Sequence, residues 1–168
     1  MNIILIGFMG AGKTSVGKRL AKLLCYDFYD TDVLIEEKAG ISIKEMFEQQ
    51  GETAFRQLEN QVIKDLRGIK KAVISVGGGA VMYHNNFELL KAIGITVFLY
   101  ASIENILRNV KSSYRPLLGA VLDVEKTEKL YNSRLSTYLK ADVVIEVKDK
   151  DILQLAEEIV QQLRENYM

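Results

Sequence analysis

The chain predicts an α/β fold, on two observations. First, five short apolar runs alternate with segments of helical periodicity: Asn2–Ile6, Tyr26–Tyr29, Ala72–Val76, Ile95–Tyr100 and Val143–Val147. Second, a glycine-rich turn sits between the first run and the first helical segment. It reads Gly7-Phe8-Met9-Gly10-Ala11-Gly12-Lys13-Thr14 and fits the phosphate-binding pattern G-x-x-x-x-G-K-[ST]. The strand before it and the helical spacing of Val16, Leu20, Leu23 and Leu24 after it are the context this pattern requires.

The residue types of this turn explain its chemistry. Glycines at 7, 10 and 12 permit backbone angles closed to other residues, so that successive N–H groups form an anion-binding nest. The positive end of the following helix adds to it. Lys13 brings a mobile charge to the β- and γ-phosphates of a nucleotide, and the Thr14 hydroxyl is a ligand for Mg²⁺.

Composition narrows the alternatives. A chain of 168 residues is expected to form one domain, 1–168, with a proper core. Lys plus Arg and Asp plus Glu are equal at 22 each, which gives no basic excess for nucleic acid. A single cysteine, Cys25, allows neither an intramolecular disulfide nor a cysteine metal cluster, and its place at the end of an apolar helix face predicts a core position. No apolar run reaches the length of a membrane span, and the N-terminus lacks a charged leader. A cytoplasmic monomer, with no membrane or nucleic-acid partner, is the expectation.

After the second strand candidate comes Asp30-Thr31-Asp32. On an extended chain the two carboxylates project to one side. If this strand neighbours the first, they lie beside the phosphate loop, where open α/β sheets bind ligands. One would then hold a water of the metal and the other orient a substrate hydroxyl; Asp32 also suits a helix N-cap. Val33 to Leu66 is helical, with breaks at Gly40 and Gly51 and a capping box at Ser42-Ile43-Lys44-Glu45. Glu52, Arg56 and Glu59 share a helix face; spacing alone favours a solvated salt-bridge face, whereas a guanidinium aimed into a cleft would suit a substrate carboxylate.

Gly77-Gly78-Gly79 closes the third strand candidate and allows close approach of a ligand to the backbone. The sole histidine, His84, lies in a polar segment and reads as a surface residue. Ser102 caps a helix after the fourth strand. The stretch Lys111 to Gly119 contains the only proline and reads as a loop, in which Arg115 is the candidate to neutralise charge on a transferring group. A helix from Asp123 to Leu139 carries Arg134 and Tyr138 one turn apart, and Ile152 to Leu163 forms a closing amphipathic helix.

Taken together, the phosphate loop, Asp30-Thr31-Asp32, the Gly51–Glu59 segment with Phe55-Arg56, Gly77-Gly78-Gly79, Arg115-Pro116-Leu117-Leu118 and the Arg134/Tyr138 pair resemble shikimate kinase over essentially the whole chain. The resemblance implies a three-layer P-loop fold of the nucleoside-monophosphate-kinase type, in which helices flank a central five-stranded parallel sheet. It adds substrate-binding helices at about 32–60 and a lid at about 109–123. It implies phosphorylation of the shikimate 3-hydroxyl by ATP with Mg²⁺, in chorismate and aromatic amino acid biosynthesis. Gly10, Ala11, Gly12, Lys13, Thr14 and Ser15 would bind ATP, with Arg115 in the lid and Arg108 flanking the adenine. Thr14 would ligate Mg²⁺ and Asp30 reach it through water. Asp32 would contact shikimate hydroxyls and act as base, with Lys13 and Arg115 as the other catalytic residues. Arg56 and Arg134 would hold the carboxylate, Glu59 would orient that pocket, and Gly78 and Gly79 would contact shikimate through the backbone. The alternative is another small-molecule P-loop kinase, of gluconate or nucleotide type. A GTPase-like module is disfavoured because no N-K-x-D sequence is present.

Overall fold

The computed structural model describes residues 1–110 and 123–167. Five strands form one sheet: β1 (Ile3–Ile6), β2 (Asp27–Asp30), β3 (Ala72–Ser75), β4 (Ile95–Tyr100) and β5 (Val143–Glu146). All neighbours pair in parallel, in the order β2-β3-β1-β4-β5. The interior strands β1 and β3 are buried at every residue, and β4 at all but its ends. That is why they read as unbroken apolar runs: helices cover both faces of a parallel sheet. The edge strand β5 alternates instead, with Val143 and Ile145 inside and Val144 and Glu146 outside.

The helices are α1 (Lys13–Leu24), α2 (Thr31–Ala39), α3 (Ile43–Asp65), α4 (Asn86–Ile93), α5 (Ile103–Val110), α6 (Val124–Tyr138) and α7 (Ile152–Asn166), with a 3₁₀ turn at Ala80–Met82. Local chemistry sets their ends. Ser42 and Glu45 form the expected capping box at the start of α3, and the Ser102 hydroxyl accepts from the Asn105 N–H as α5 begins. Gly40 ends α2 in the left-handed region, and Gly51, at φ 81°, kinks α3 just before the turn that carries Glu52 and Arg56. None of the described helices is long and apolar enough to cross a membrane.

The main core packs helices against both faces of the sheet. A second apolar cluster of Ile35, Met46, Phe55 and Val62 lies between α2 and α3 and gives this helical segment its own support.

Several expectations are corrected. β2 does not adjoin β1, because β3 lies between them. β2 ends at Asp30, so Asp32 belongs to the first turn of α2 and the two carboxylates do not share an extended face; the N-cap is Asp30, whose Oδ1 accepts from the Asp32 N–H. Cys25 is exposed, not in the core, because it ends α1 in the left-handed conformation and swings away from the apolar stripe. The polar segment around His84 gives way to a helix, α4, which buries Phe87, Leu89 and Leu90; His84 itself is exposed as expected.

Candidate active site

The phosphate loop joins the carboxyl end of β1, in the middle of the sheet, to α1. Gly7, Gly10 and Gly12 all have positive φ, at 146°, 82° and 89°. The N-cap residue Gly12 supplies no side-chain cap at the start of α1, whose positive end faces this loop. Lys13 is only 8% exposed and donates to the Gly7 and Phe8 carbonyls at 2.9 and 3.0 Å. Its ammonium is therefore held against the loop it serves.

The Thr14 hydroxyl donates to Asp30 Oδ2 at 2.8 Å. This contact forms although β3 separates β2 from β1. The gap is left by glycine: a methyl group at Gly77 would stand 2.7 Å from Asp32 Oδ1, so the end of β3 leaves room for the Asp30–Asp32 turn only without a side chain. The Gly77 N–H, in turn, donates to the buried Thr31 hydroxyl at 3.0 Å and ties the turn to β3.

Beyond the loop a second group of charges is buried. Arg56 is 5% exposed, Glu59 1% and Arg134 3%. Arg56 Nη1 donates to Glu59 Oε2 at 2.8 Å, and its Nε and Nη2 donate to Glu52 Oε1 at 3.3 Å. The solvated-face reading of this helix is thereby overturned: α3 turns Arg56 and Glu59 inward, towards the triple glycine. A methyl group at Gly79 would lie 2.8 Å from Arg56 Nη2 and 3.0 Å from Arg134 Nη2, so the two arginines meet over this glycine. Phe8 of the phosphate loop packs its ring 5.7 Å from the Arg134 guanidinium. Tyr138, one turn beyond Arg134, donates its hydroxyl to the Gly78 carbonyl. Burial pushes the Tyr138 phenol up to about 12, so it remains a donor across the ordinary pH range.

Burial also raises the Glu59 carboxyl to about 7, with Asp32 adding to the rise, while Arg56 and Arg134 pull against it. For Arg56, burial works against the charge, but Glu59 and Glu52 outweigh it and raise its pKa. Among the described residues, Glu59 Oε1 and Arg134 Nη1 are buried without a hydrogen-bond partner. A buried unpaired acceptor and a buried unpaired donor beside the triple glycine are costly unless a ligand pairs them.

Two cavities run through this region. One, of about 830 Å³, is lined by the phosphate loop, Thr14, Ser15 and Asp30, and at its far end by Ile152 and Leu153. The other, of about 320 Å³, is lined by Arg56 and Glu59 with Gly79, Ile43, Phe47 and Phe55. Met9, Asp32, Gly77 and Gly78 line both, so the cavities adjoin at Asp32.

Most of the sequence-predicted site residues are thus brought together: Gly10 to Ser15, Asp30 and Asp32 at the first cavity, and Asp32, Arg56, Glu59, Gly78, Gly79 and Arg134 around the second. Arg108 is not. It is exposed on α5, and its neighbour Asn109 reaches the first cavity instead, donating to the Gly10 carbonyl at 2.8 Å. Arg115 and most of the expected lid lie outside the described residues. Sequence reasoning missed Asn109 and Tyr83; neither belongs to a pattern, and only their position in space connects them with the site.

The donor set suits Mg²⁺. Thr14 and Asp30 offer hard oxygens beside the phosphate nest, and Mg²⁺ characteristically takes one or two such protein ligands and completes its shell with water and phosphate oxygens.

Comparison with known proteins gives the same picture. The family pattern described as shikimate kinase matches residues 9–164. A shikimate kinase of Caldanaerobacter subterraneus subsp. tengcongensis is 45% identical over 161 residues, 95% of this chain and 94% of the relative. A shikimate kinase of Geobacter sulfurreducens is 43% identical, covering 98% of this chain and 92% of its own. Among solved structures, shikimate kinase from Acinetobacter baumannii in complex with shikimate superposes with a TM-score of 0.94 at 39% identity, over 99% of this chain and 94% of that one. With a parallel sheet of matching topology, a phosphate loop at its centre and similarity along nearly the full length, the chain belongs to the shikimate kinase family.

Proposed function

We propose that the chain transfers the γ-phosphoryl group of ATP to the 3-hydroxyl of shikimate, giving shikimate 3-phosphate and ADP, a step of chorismate and aromatic amino acid biosynthesis. The observation that carries this reading is the junction at Asp32: a phosphate-loop cavity and an arginine-flanked cavity share that carboxylate and the bare backbone of Gly77 and Gly78. One cavity suits a nucleotide triphosphate. The other suits a small molecule with a carboxylate at one end, for Arg56 and Arg134, and hydroxyls at the other, for Asp32 and Glu59 Oε1.

Phosphoryl transfer asks little covalent chemistry of a protein; positioning and charge neutralisation supply most of the acceleration. In this reading the loop N–H groups and Lys13 hold the phosphates and offset charge on the transferring group. The two arginines fix the acceptor, so that its hydroxyl lies at Asp32 in line with the phosphate, and Asp32 accepts the hydroxyl proton. Thr14, and Asp30 through water, would hold Mg²⁺, which would supply charge neutralisation at the phosphates. Arg115 would add a further cation at the transferring group. The same proposal takes 32–60 as the acceptor-binding segment of one domain, and the enzyme as a cytoplasmic monomer.

ADP release measured with ATP, Mg²⁺ and each candidate acceptor tests it. Turnover with shikimate and none with gluconate or a nucleoside monophosphate is the expected result. Turnover with either alternative in preference to shikimate overturns it.

A further inference from the structure

The Arg56 guanidinium has five N–H donors in a rigid plane. Glu52 takes two, from Nε and Nη2, and Glu59 takes one, from Nη1. One N–H then remains on each terminal nitrogen, and both nitrogens face Gly79, at 3.1 and 2.8 Å from where its methyl would be. This is the two-pronged arrangement that grips a carboxylate, provided the plane does not rotate. Glu59 is wholly buried and cannot wander. Glu52, however, has a side chain 41% exposed, and a carboxylate so open to water gives little fixed hold to its partner.

Tyr83 supplies what Glu52 lacks. Its hydroxyl donates to Glu52 Oε1 at 3.0 Å, the same oxygen that accepts from Arg56. Its ring lies under the guanidinium, 4.1 Å from the Arg56 Cζ, while the Phe55 ring is at 4.9 Å. One side chain thus pins the mobile carboxylate and stacks on the plane that carboxylate orients. Its backbone is itself tethered, through an N–H donated to the Ala80 carbonyl directly after the triple glycine.

We propose that Tyr83 is a positioning residue for recognition of the substrate carboxylate: it locks the Arg56 guanidinium, by stacking and through Glu52, with its open fork turned to Gly79. The inference rests on the carboxylate-clamp reading above and extends it to a residue outside both cavities of the junction.

The test compares full-length wild type, Tyr83→Phe, Tyr83→Leu and Arg56→Ala. Dissociation constants are measured for shikimate, for its carboxamide analogue and for ATP, together with the melting temperature. Tyr83→Phe removes one oxygen and keeps the ring, and is expected to weaken shikimate about fivefold. Tyr83→Leu loses the stack as well and is expected to weaken it about tenfold or more. The preference for carboxylate over carboxamide falls by the same factors and ATP affinity is unchanged. Tyr83 as mere packing would move the melting temperature and weaken both acceptors alike, leaving their ratio intact; that result overturns the proposal. If Tyr83→Leu fails to fold, the ratio in Tyr83→Phe decides alone. Arg56→Ala separates the two levels. Loss of the preference there, but not in Tyr83→Phe, removes the role of Tyr83 only. A preference that survives Arg56→Ala removes the clamp reading and this inference with it.

Discussion

Arg56 on α3 and Arg134 on α6 converge on the Cα of Gly79, each with a terminal nitrogen within 3.0 Å of the place a side chain would occupy. Both nitrogens come this close to the backbone because that residue has no side chain. Gly79 has φ −95°, which any residue adopts, so backbone conformation is not the reason for glycine here.

Gly79→Ala should therefore fold normally and fail at binding. The atoms its methyl meets are the free ends of two flexible side chains, which give way without moving the backbone. Displacing both by about an ångström is expected to weaken shikimate about a hundredfold. Calorimetry should find the melting temperature and the ATP affinity close to wild type. A variant that binds shikimate normally would show that the arginines do not act at this spot.

Arg56→Lys keeps the charge and loses the planar fork that Glu52 and Glu59 hold. Shikimate affinity should drop about tenfold, whereas the carboxamide analogue, already weak, should be almost indifferent. Equal phosphorylation of both compounds by the wild type would withdraw the carboxylate assignment.

Lys13→Ala removes the ammonium that bridges the Gly7 and Phe8 carbonyls. Gly7 and Phe8 are buried, so their carbonyls lose a buried donor and the melting temperature should drop modestly while the fold is kept. Turnover, measured as ADP formed with shikimate present, should fall about a hundred- to a thousandfold. An active variant would contradict the assignment of the loop as the phosphate site.

Thr14→Val preserves volume, deletes the oxygen proposed to ligate Mg²⁺ and breaks the 2.8 Å bond to Asp30. The Mg²⁺ concentration giving half-maximal rate is expected to rise about tenfold or more. An unchanged Mg²⁺ titration would place the metal elsewhere.

Glu59 makes stability depend on pH. Its carboxyl is raised from 4.5 to about 7 in the fold, chiefly by burial. Between those values the folded state holds the proton that the unfolded chain has lost, so stability falls as pH rises through this window. Once the group is fully ionised the cost is about 3 kcal/mol. Glu59→Gln carries no titrating proton, and denaturant melts from pH 4.5 to 8 should show a flatter profile for it. A slope identical to wild type would assign the pH dependence to other groups.

What was legible in the sequence was local. The phosphate loop is a contiguous pattern whose glycines, lysine and threonine do their work within one turn, so its position follows from eight consecutive letters. The interior strands β1, β3 and β4 were visible because a strand buried on both faces must be apolar throughout, and Ser42 with Glu45 announced a helix start for a reason confined to four residues. α4 was obscured because its cap region is polar and its apolar stripe is short.

The sequence by itself determined the phosphate loop, the alternation of strands and helices and the order of the family's motifs. Tertiary structure alone decided which charges are buried and which meet. The Glu52–Arg56–Glu59 spacing is the same on a solvated helix and on one facing a cleft; only the packing of α2 on α3, with Phe55 and Met46 between them, turns it inward. The meeting of Arg56, Arg134 and Tyr83 needs α3, α6 and the turn after β3 brought to one sheet edge, and no periodicity encodes a distance between elements so far apart in the chain. The left-handed end of α1 likewise moved Cys25 from an apolar stripe into solvent, because the dihedrals of one residue redirect a side chain whatever the pattern before it.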